Sequence, residues 1–384
     1  MATRPELDPA AITSNELIPE SLLRMDPEFR EYFRNLQQVF LYITDDCNLR
    51  CEQCLYKPLL KKDSEIKLET ALALITTFKE MGAFKLTIMG GEPTRYGHKE
   101  NNQPLLTVIH KAKELGYKYV RIDTNGQFNP ALLEQEDFKK LDEISFSVDG
   151  HTPEVNDPLR GKGSFAKCVL NLQNAVRLGY NVNITCCIHR GNVGKEPEGN
   201  YLLDSMIKFA TSYGVRRINF HGIFKHGVPR DTWIGETYVS SDEYAEVYSE
   251  ISKNIEAGKY EIPVRIPQER LLTREEFDSN PDYYGYCPVK LGERVLAHPN
   301  GQIRVCSLLI GTPYAIAKFD DDGIYWEDSN NNELIRGNFD LAQSTPCTVQ
   351  KLEGQFVPVC VSFKPGQQEI VWQERLKWEN KRKG

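Results

Sequence analysis

The sequence predicts an α/β fold: a parallel sheet of six βα units wrapped into a partial (β/α)6 barrel, followed by a small C-terminal domain. Three observations predict it. From Val39 onward, short β-branched runs alternate with segments of helical period, the pattern of repeated βα units. The 384 residues suffice for one large domain and a smaller one. Beyond the sixth unit the pattern changes to alternating runs around a turn, with four widely spaced cysteines.

Residues 1–38 are polar with one amphipathic stretch, Pro27-Glu-Phe-Arg-Glu-Tyr-Phe-Arg-Asn-Leu36, expected as a helix capping the barrel. The barrel is expected over 39–225. Its strands are Val39 to Thr44, Lys85 to Met89, Tyr119 to Asp123, Glu143 to Val148, Asn181 to Ile188 and Arg217 to Phe220. Between them, Leu68 to Met81, Leu105 to Leu115, Pro130 to Leu141, Phe165 to Leu178 and Leu202 to Tyr213 carry the helical period. Residues 226–286 read as a linking helical region and 287–384 as the second domain. In such a sheet the active site lies at the carboxyl ends of the strands.

Composition narrows the function. A net charge of −7 offers no basic field for nucleic acid, and the basic Lys377 and Lys381-Arg-Lys383 read as a solvated tail. No apolar run approaches the roughly 20 residues that span a bilayer, and the start lacks the apolar core of a signal peptide. Neither nucleic acid nor membrane is expected as a partner. The ten cysteines are therefore expected to be reduced, cytoplasmic and partly metal-bound.

Three of them fall within eight residues, just past the first strand: Tyr42-Ile-Thr-Asp-Asp-Cys47-Asn-Leu-Arg-Cys51-Glu-Gln-Cys54-Leu-Tyr56. Four thiolates saturate a 4Fe-4S cluster, so three leave one iron open. Half of a zinc site has the same look. A second element separates the two. Leu86-Thr-Ile-Met-Gly90-Gly91-Glu92-Pro93 is a short strand ending in a turn whose glycines admit close backbone approach, whose carboxylate complements a cation and whose proline sets the bend. Cys-x3-Cys-x2-Cys followed by Gly-Gly-Glu-Pro resembles the radical S-adenosylmethionine (SAM) superfamily. The resemblance implies that Cys47, Cys51 and Cys54 ligate a 4Fe-4S cluster, with SAM on the open iron, and that Gly90, Gly91, Glu92 and Pro93 hold its methionyl ammonium.

Later strand ends extend the resemblance. Asp123-Thr-Asn125-Gly126 ends the third strand and Ser145-Phe-Ser147-Val-Asp149-Gly150 the fourth, followed by Arg160-Gly-Lys-Gly-Ser164-Phe165. This text is similar to the branch of the superfamily that carries C-terminal auxiliary clusters. It implies that Ser147 and Arg160 hold SAM's carboxylate and ribose, with Asn125 and Asp149 also in the cofactor site. Read from the residues alone, Asp149 makes an Asx turn and Ser164 caps a helix. One position departs from the family: the residue before the third cysteine is usually aromatic and near the adenine, but here it is Gln53. Tyr56 is the candidate to replace that contact.

Of the other cysteines, Cys168, Cys186 and Cys187 read as buried small apolar residues. Cys287, Cys306, Cys347 and Cys360 lie beyond the barrel. Pro299-Asn300-Gly301 between alternating runs signals a hairpin, which returns Cys306 towards Cys287. Cys-x13-Gly-x4-Cys resembles the opening of SPASM and twitch domains, and four thiolates suffice for one closed auxiliary 4Fe-4S cluster, so a twitch-like domain is expected. Those domains usually finish with a close Cys-x2-Cys pair, whereas Cys347 and Cys360 are separated by 12 residues, so a set with one free cysteine stays open. His221, at the sixth strand end, and Cys287 are the catalytic candidates, while His298 near the hairpin tip is a weaker one.

The resemblance implies reduction of the cluster by a flavodoxin- or ferredoxin-type donor, cleavage of SAM and hydrogen abstraction from a substrate. Four ligating tail cysteines imply net oxidation, either dehydrogenation or crosslinking. A free thiol implies epimerisation of a sugar or peptide residue. Tyr283-Tyr-Gly-Tyr286 and Trp233 are candidate pocket aromatics. No leader-binding domain is visible in the short N-terminus, which favours a small aminosugar or nucleoside-like substrate over a peptide.

Overall fold

The structure, a computed structural model, describes residues 24–223, 237, 239, 241–266, 292–307, 310 and 315–327. Cys287, Cys347, Cys360, Trp233 and the Tyr283–Tyr286 aromatics lie outside the described residues, as does the basic tail. Among the described residues, one sheet contains eleven strands. Seven run parallel in chain order: β1 (Gln38–Tyr42), β2 (Lys85–Met89), β3 (Tyr119–Thr124), β4 (Glu143–Ser147), β5 (Val182–Ile188), β6 (Arg217–Gly222) and β7 (Val264–Arg265). They form the expected partial barrel. On the other side of β1 lies β8 (Arg294–Ala297), also parallel to it, and then β9 (Gln302–Arg304), β10 (Ala317–Phe319) and β11 (Ile324–Trp326), joined antiparallel. The predicted Pro299-Asn300-Gly301 turn links β8 to β9, so the strand before it extends the barrel sheet itself.

The outward face of the strands is apolar. Val39, Leu41, Leu86, Ile88, Val120, Ile122, Ile144, Phe146, Ile184, Cys186 and Ile218 are all fully buried under the helices. Those helices are α1 (Pro27–Tyr32), α2 (Leu68–Glu80), α3 (Gln103–Glu114), α4 (Pro153–Arg160), α5 (Ser164–Arg177), α6 (Leu202–Ser212) and α7 (Ser241–Glu256). The alternate residues, including Phe40, Tyr42, Lys85, Arg121, Glu143, Ser147, Asn183, Cys187, Arg217 and His221, face the lumen, because side chains alternate along each strand. The cross-strand register confirms the alignment, with Arg121 opposite Glu143 and Cys187 opposite His221.

Two expectations for the helices change. Pro130 to Leu141 is two short 3-10 segments, Pro130–Glu134 and Phe138–Lys140, rather than one helix, because Gln135 turns to an extended conformation between them. Leu132, Leu133 and Phe138 are still buried, so the periodicity found the packing face but not the winding. Residues 153–160, between the fourth strand and the fifth helix, form an unanticipated helix. Pro153 starts it at a position that needs no N–H, and Pro158 within it had suppressed the helical signal.

Candidate active site

The cysteine loop rises from the carboxyl end of β1 and is stitched to the glycine turn after β2. Gly91 N donates to Thr44 O at 2.7 Å and Glu92 N to Asp46 O at 2.8 Å. A Cβ on Gly91 would stand 2.4 Å from Asp46 O, and one on Gly90 would stand 2.5 Å from Thr44 O. The sequence suggested that these glycines admit a ligand. In the fold, they also admit the backbone that carries the cysteines. Asp46 is secured from the far side by Arg95, whose Nε and Nη2 donate to Oδ2 at 3.0 and 2.8 Å.

Glu92 is 1% exposed. Its Oε1 accepts from Thr94 N, Thr94 Oγ1 and Thr124 Oγ1, and its Oε2 accepts from Asn125 N at 2.7 Å. Burial raises its carboxyl above the usual range, and these donors counter the rise. The residue thereby ties the glycine turn to the end of β3, where Asn125 faces the cysteine loop.

Cys47, Cys51 and Cys54 are half-buried free thiols. Burial, followed by the Glu92 charge, pushes Cys47 up to about 12; burial and the neighbouring Cys51 push Cys54 up to about 11; Cys51 is also raised, again mainly by burial, with Arg160 opposing. Thiols in such a setting ionise only for a strong cationic partner such as iron. Leu49 N and Asn125 Nδ2 donate to Cys47 Sγ at 3.4 and 3.8 Å. Among the described residues no three His, Cys, Asp or Glu side chains converge as ligands of a single ion. In a 4Fe-4S cluster each thiolate meets its own iron, and three thiols on one loop with N–H donors at sulfur fit that group.

Asp149, at the end of β4 and fully buried, is the second hub. Oδ2 accepts from Gln53 Nε2 at 2.6 Å and pairs with Arg160 Nε at 2.6 Å, while Oδ1 accepts from Cys187 N at 2.6 Å. Gln53, which departs from the family pattern, therefore anchors the cysteine loop to β4 and β5. Burial opposes the charge on Arg160, but Asp149, Cys51 and Cys187 outweigh it and hold the guanidinium firmly protonated. Helix α4 delivers Arg160 here from its last turn.

Other expected residues are placed differently. Tyr56 is 6% exposed, with its ring stacked on Tyr42 at 4.9 Å and its hydroxyl donating to Asp45 Oδ1 at 2.6 Å, which commits it to packing. His298 is fully buried in the same stack, 4.4 Å from the Tyr42 ring. His221 is exposed on the lumen side of β6, and Ser147 lies half-buried at the end of β4. Cys168 and Cys186 are buried as expected. Cys187 is only partly covered, because one step along β5 turns it from the core to the lumen. Cys306, half-buried after β9, lies within electrostatic reach of the Tyr42 hydroxyl. Sequence reasoning missed Thr44, Asp46, Asn48, Thr124 and the anchoring role of Gln53. Of these, only Asp46 left a signal, as the second of two acidic residues directly before Cys47.

A half-buried three-thiol loop locked to a glycine turn at the rim of a parallel partial barrel defines a class. Residues 41–200 match the family model described as the Radical SAM superfamily, and over that stretch the chain is similar to the enzymes of that superfamily. Its relatives are more specific. Mycofactocin maturase MftC of Mycobacterium ulcerans is 32% identical over 175 residues, 45% of this chain and 43% of that protein. GTP 3′,8-cyclase of Haemophilus influenzae is 29% identical over 163 residues, 41% of this chain and 45% of that protein. The match thus spans less than half the length of either relative. Among solved structures, Streptococcus suis SuiB bound to precursor peptide SuiA superposes with a TM-score of 0.60 at 15% identity, covering 83% of this chain and 69% of that one, a likeness of fold. No described helix is long and apolar enough to cross a membrane.

Proposed function

We propose that the chain is a radical SAM oxidoreductase that removes hydrogen from a peptide substrate with net oxidation. The observation that carries the reading is the attachment of the three-cysteine loop to the Gly90-Gly91-Glu92-Pro93 turn at the carboxyl ends of β1 and β2. When bound, a 4Fe-4S cluster with SAM supplies one-electron cleavage of SAM to methionine and a 5′-deoxyadenosyl radical. Cys47, Cys51 and Cys54 would hold the cluster. Arg160, kept charged by Asp149, is suited to the SAM carboxylate, with Ser147 beside it on the rim and the glycine turn on the ammonium. His221 faces the lumen from the opposite wall as a proton carrier for the substrate. Cys306 would be one ligand of an auxiliary 4Fe-4S cluster, with Cys287, Cys347 and Cys360 as the others, and such a cluster would supply a one-electron acceptor for the substrate radical. A flavodoxin- or ferredoxin-type protein would supply the initiating electron.

Likeness to a SuiB structure that holds its precursor peptide supports a peptide substrate. Likeness to a GTP cyclase supports a small nucleoside-like one. A second reading, redox-neutral epimerisation with a cysteine as hydrogen donor, is supported by Cys187, a partly exposed thiol on the lumen face of β5. Anaerobic iron and sulfide counting, with 5′-deoxyadenosine analysis, tests the proposal. Roughly eight irons falling to about four in a Cys47/Cys51/Cys54→Ala triple variant is the expected result. Failure of the reconstituted protein to form 5′-deoxyadenosine with SAM and reductant would sink the radical reading. Solvent deuterium at the reacting carbon of the product would replace oxidation with epimerisation.

A further inference from the structure

We propose that Asn125 sets the reduction potential of the cluster held by Cys47, Cys51 and Cys54, through an N–H···S hydrogen bond to Cys47; this rests on the cluster reading above. The orientation of the Asn125 amide is determined by its surroundings. Oδ1 accepts from Gln127 N at 2.8 Å, the pattern of an Asx turn, so the NH2 group must face the cysteine loop. There Nδ2 donates to Asn48 Oδ1 at 2.9 Å and reaches Cys47 Sγ at 3.8 Å. The backbone beneath is locked as well, because Asn125 N donates to Glu92 Oε2 at 2.7 Å. The residue is 8% exposed, so water competes little for these bonds.

The electrostatic setting gives this donor a purpose. The Glu92 carboxylate that accepts from Asn125 N is a buried acidic group next to the loop that carries Cys47. A one-electron reduction adds negative charge to the cluster and its thiolates. N–H dipoles aimed at sulfur stabilise the reduced form more than the oxidised one, which raises the potential. Asn125 therefore offsets the Glu92 carboxylate that positions it, together with Leu49 N at 3.4 Å from the same sulfur. Asn125 is a positioning residue for reduction, acting through Cys47.

The test is a potentiometric titration of the reconstituted protein followed by electron paramagnetic resonance, without SAM. Asn125→Ser keeps an oxygen to accept from Gln127 N but removes the N–H directed at Cys47. Its expected effect is a roughly tenfold shift towards the oxidised cluster at fixed potential, about 59 mV for one electron. Asn125→Asp is expected to shift it further in the same direction. Asn48→Ala controls for loosening of the loop, since Asn48 Nδ2 anchors it to Gln127 O at 2.8 Å. It removes an acceptor that shares the amide and is expected to leave the potential unchanged or slightly higher. Unchanged midpoints in Ser and Asp variants with full iron content would overturn the proposal. So would an equal fall in Asn48→Ala, or a shift that appears only when SAM is added. Wild-type protein that binds no iron would overturn the cluster reading and this proposal with it. If Asn125→Ser binds no iron, Asn125→Asp alone decides by the same criterion, and loss of iron in both variants would overturn tuning in favour of a role in assembling the loop.

Discussion

At the rim of the barrel, above β1 to β4, polar groups are buried by backbone hydrogen bonds and short side chains, and the thiols among them stay half open. At the floor, where the strands begin, the lumen is closed by charge. Glu143 is 1% exposed and lies 3.1 Å from Arg121 and 2.9 Å from Arg217, while the Tyr119 hydroxyl donates to the same carboxylate. Burial alone would raise the Glu143 carboxyl; the two guanidiniums outweigh it and hold the group well below the usual range. The contrast teaches that one lumen uses two kinds of polar order. The rim fixes geometry through directional bonds and leaves sulfur available, while the floor seals the sheet with charges that depend on each other.

Breaking the floor has the largest expected effect. Glu143→Gln removes the carboxylate partner of the buried Arg217 and leaves Arg121 to its ion pair with Asp123; it should cost about 3–5 kcal/mol in urea unfolding, with iron content per folded protein unchanged. An equal loss of iron would mean that rim and floor are not separable. The His298 stack under the rim comes next. Burial, then Arg304, pushes His298 down to about 3, so it stays neutral in the folded chain while the unfolded chain binds a proton below about pH 6.5. Stability should therefore fall as pH drops from 6.5 towards 3, by up to about 1.4 kcal/mol per unit. His298→Phe should flatten that slope between pH 6.5 and 5; an unchanged slope would assign the acid sensitivity elsewhere.

Gly91→Ala places a methyl against the Asp46 carbonyl and should cost about 1–3 kcal/mol. Its sharper readout is iron, which should fall well below the wild-type value although no cysteine is touched. Full iron loading would show that the loop and turn are not bound to each other as described. The smallest effect belongs to a surface tie: Lys67→Ala removes an exposed ion pair with Asp321 and should leave the urea midpoint almost unchanged. A larger loss would mean that the strand pair β10–β11 depends on this contact to α2.

Strand positions were readable because β-branched runs bounded by turns recur with little ambiguity, and Lys85–Met89 falls on the residues expected. The helix at 153–160 was not readable, since its two prolines mimic a loop. The cysteine triplet and the Gly-Gly-Glu-Pro turn were legible because their chemistry is local. Gln53, Asn125 and Asp149 were legible only as positions. What each one touches depends on distant parts of the chain, 96 positions away in the Gln53–Asp149 bond and 78 in the Asn125–Cys47 bond.

By itself the sequence determined the class of fold, the three thiols and the turn beside them, because period, spacing and residue type act over a few residues. Only the tertiary structure decided that the glycines serve the cysteine loop, that Tyr56 and His298 are packing residues, and that Cys187 faces the lumen while Cys186 faces the core. Those outcomes follow from strand register and from which distant carboxylate meets which donor. A one-residue step along a strand reverses the facing of a side chain, and a buried charge is set by the partners the fold brings to it.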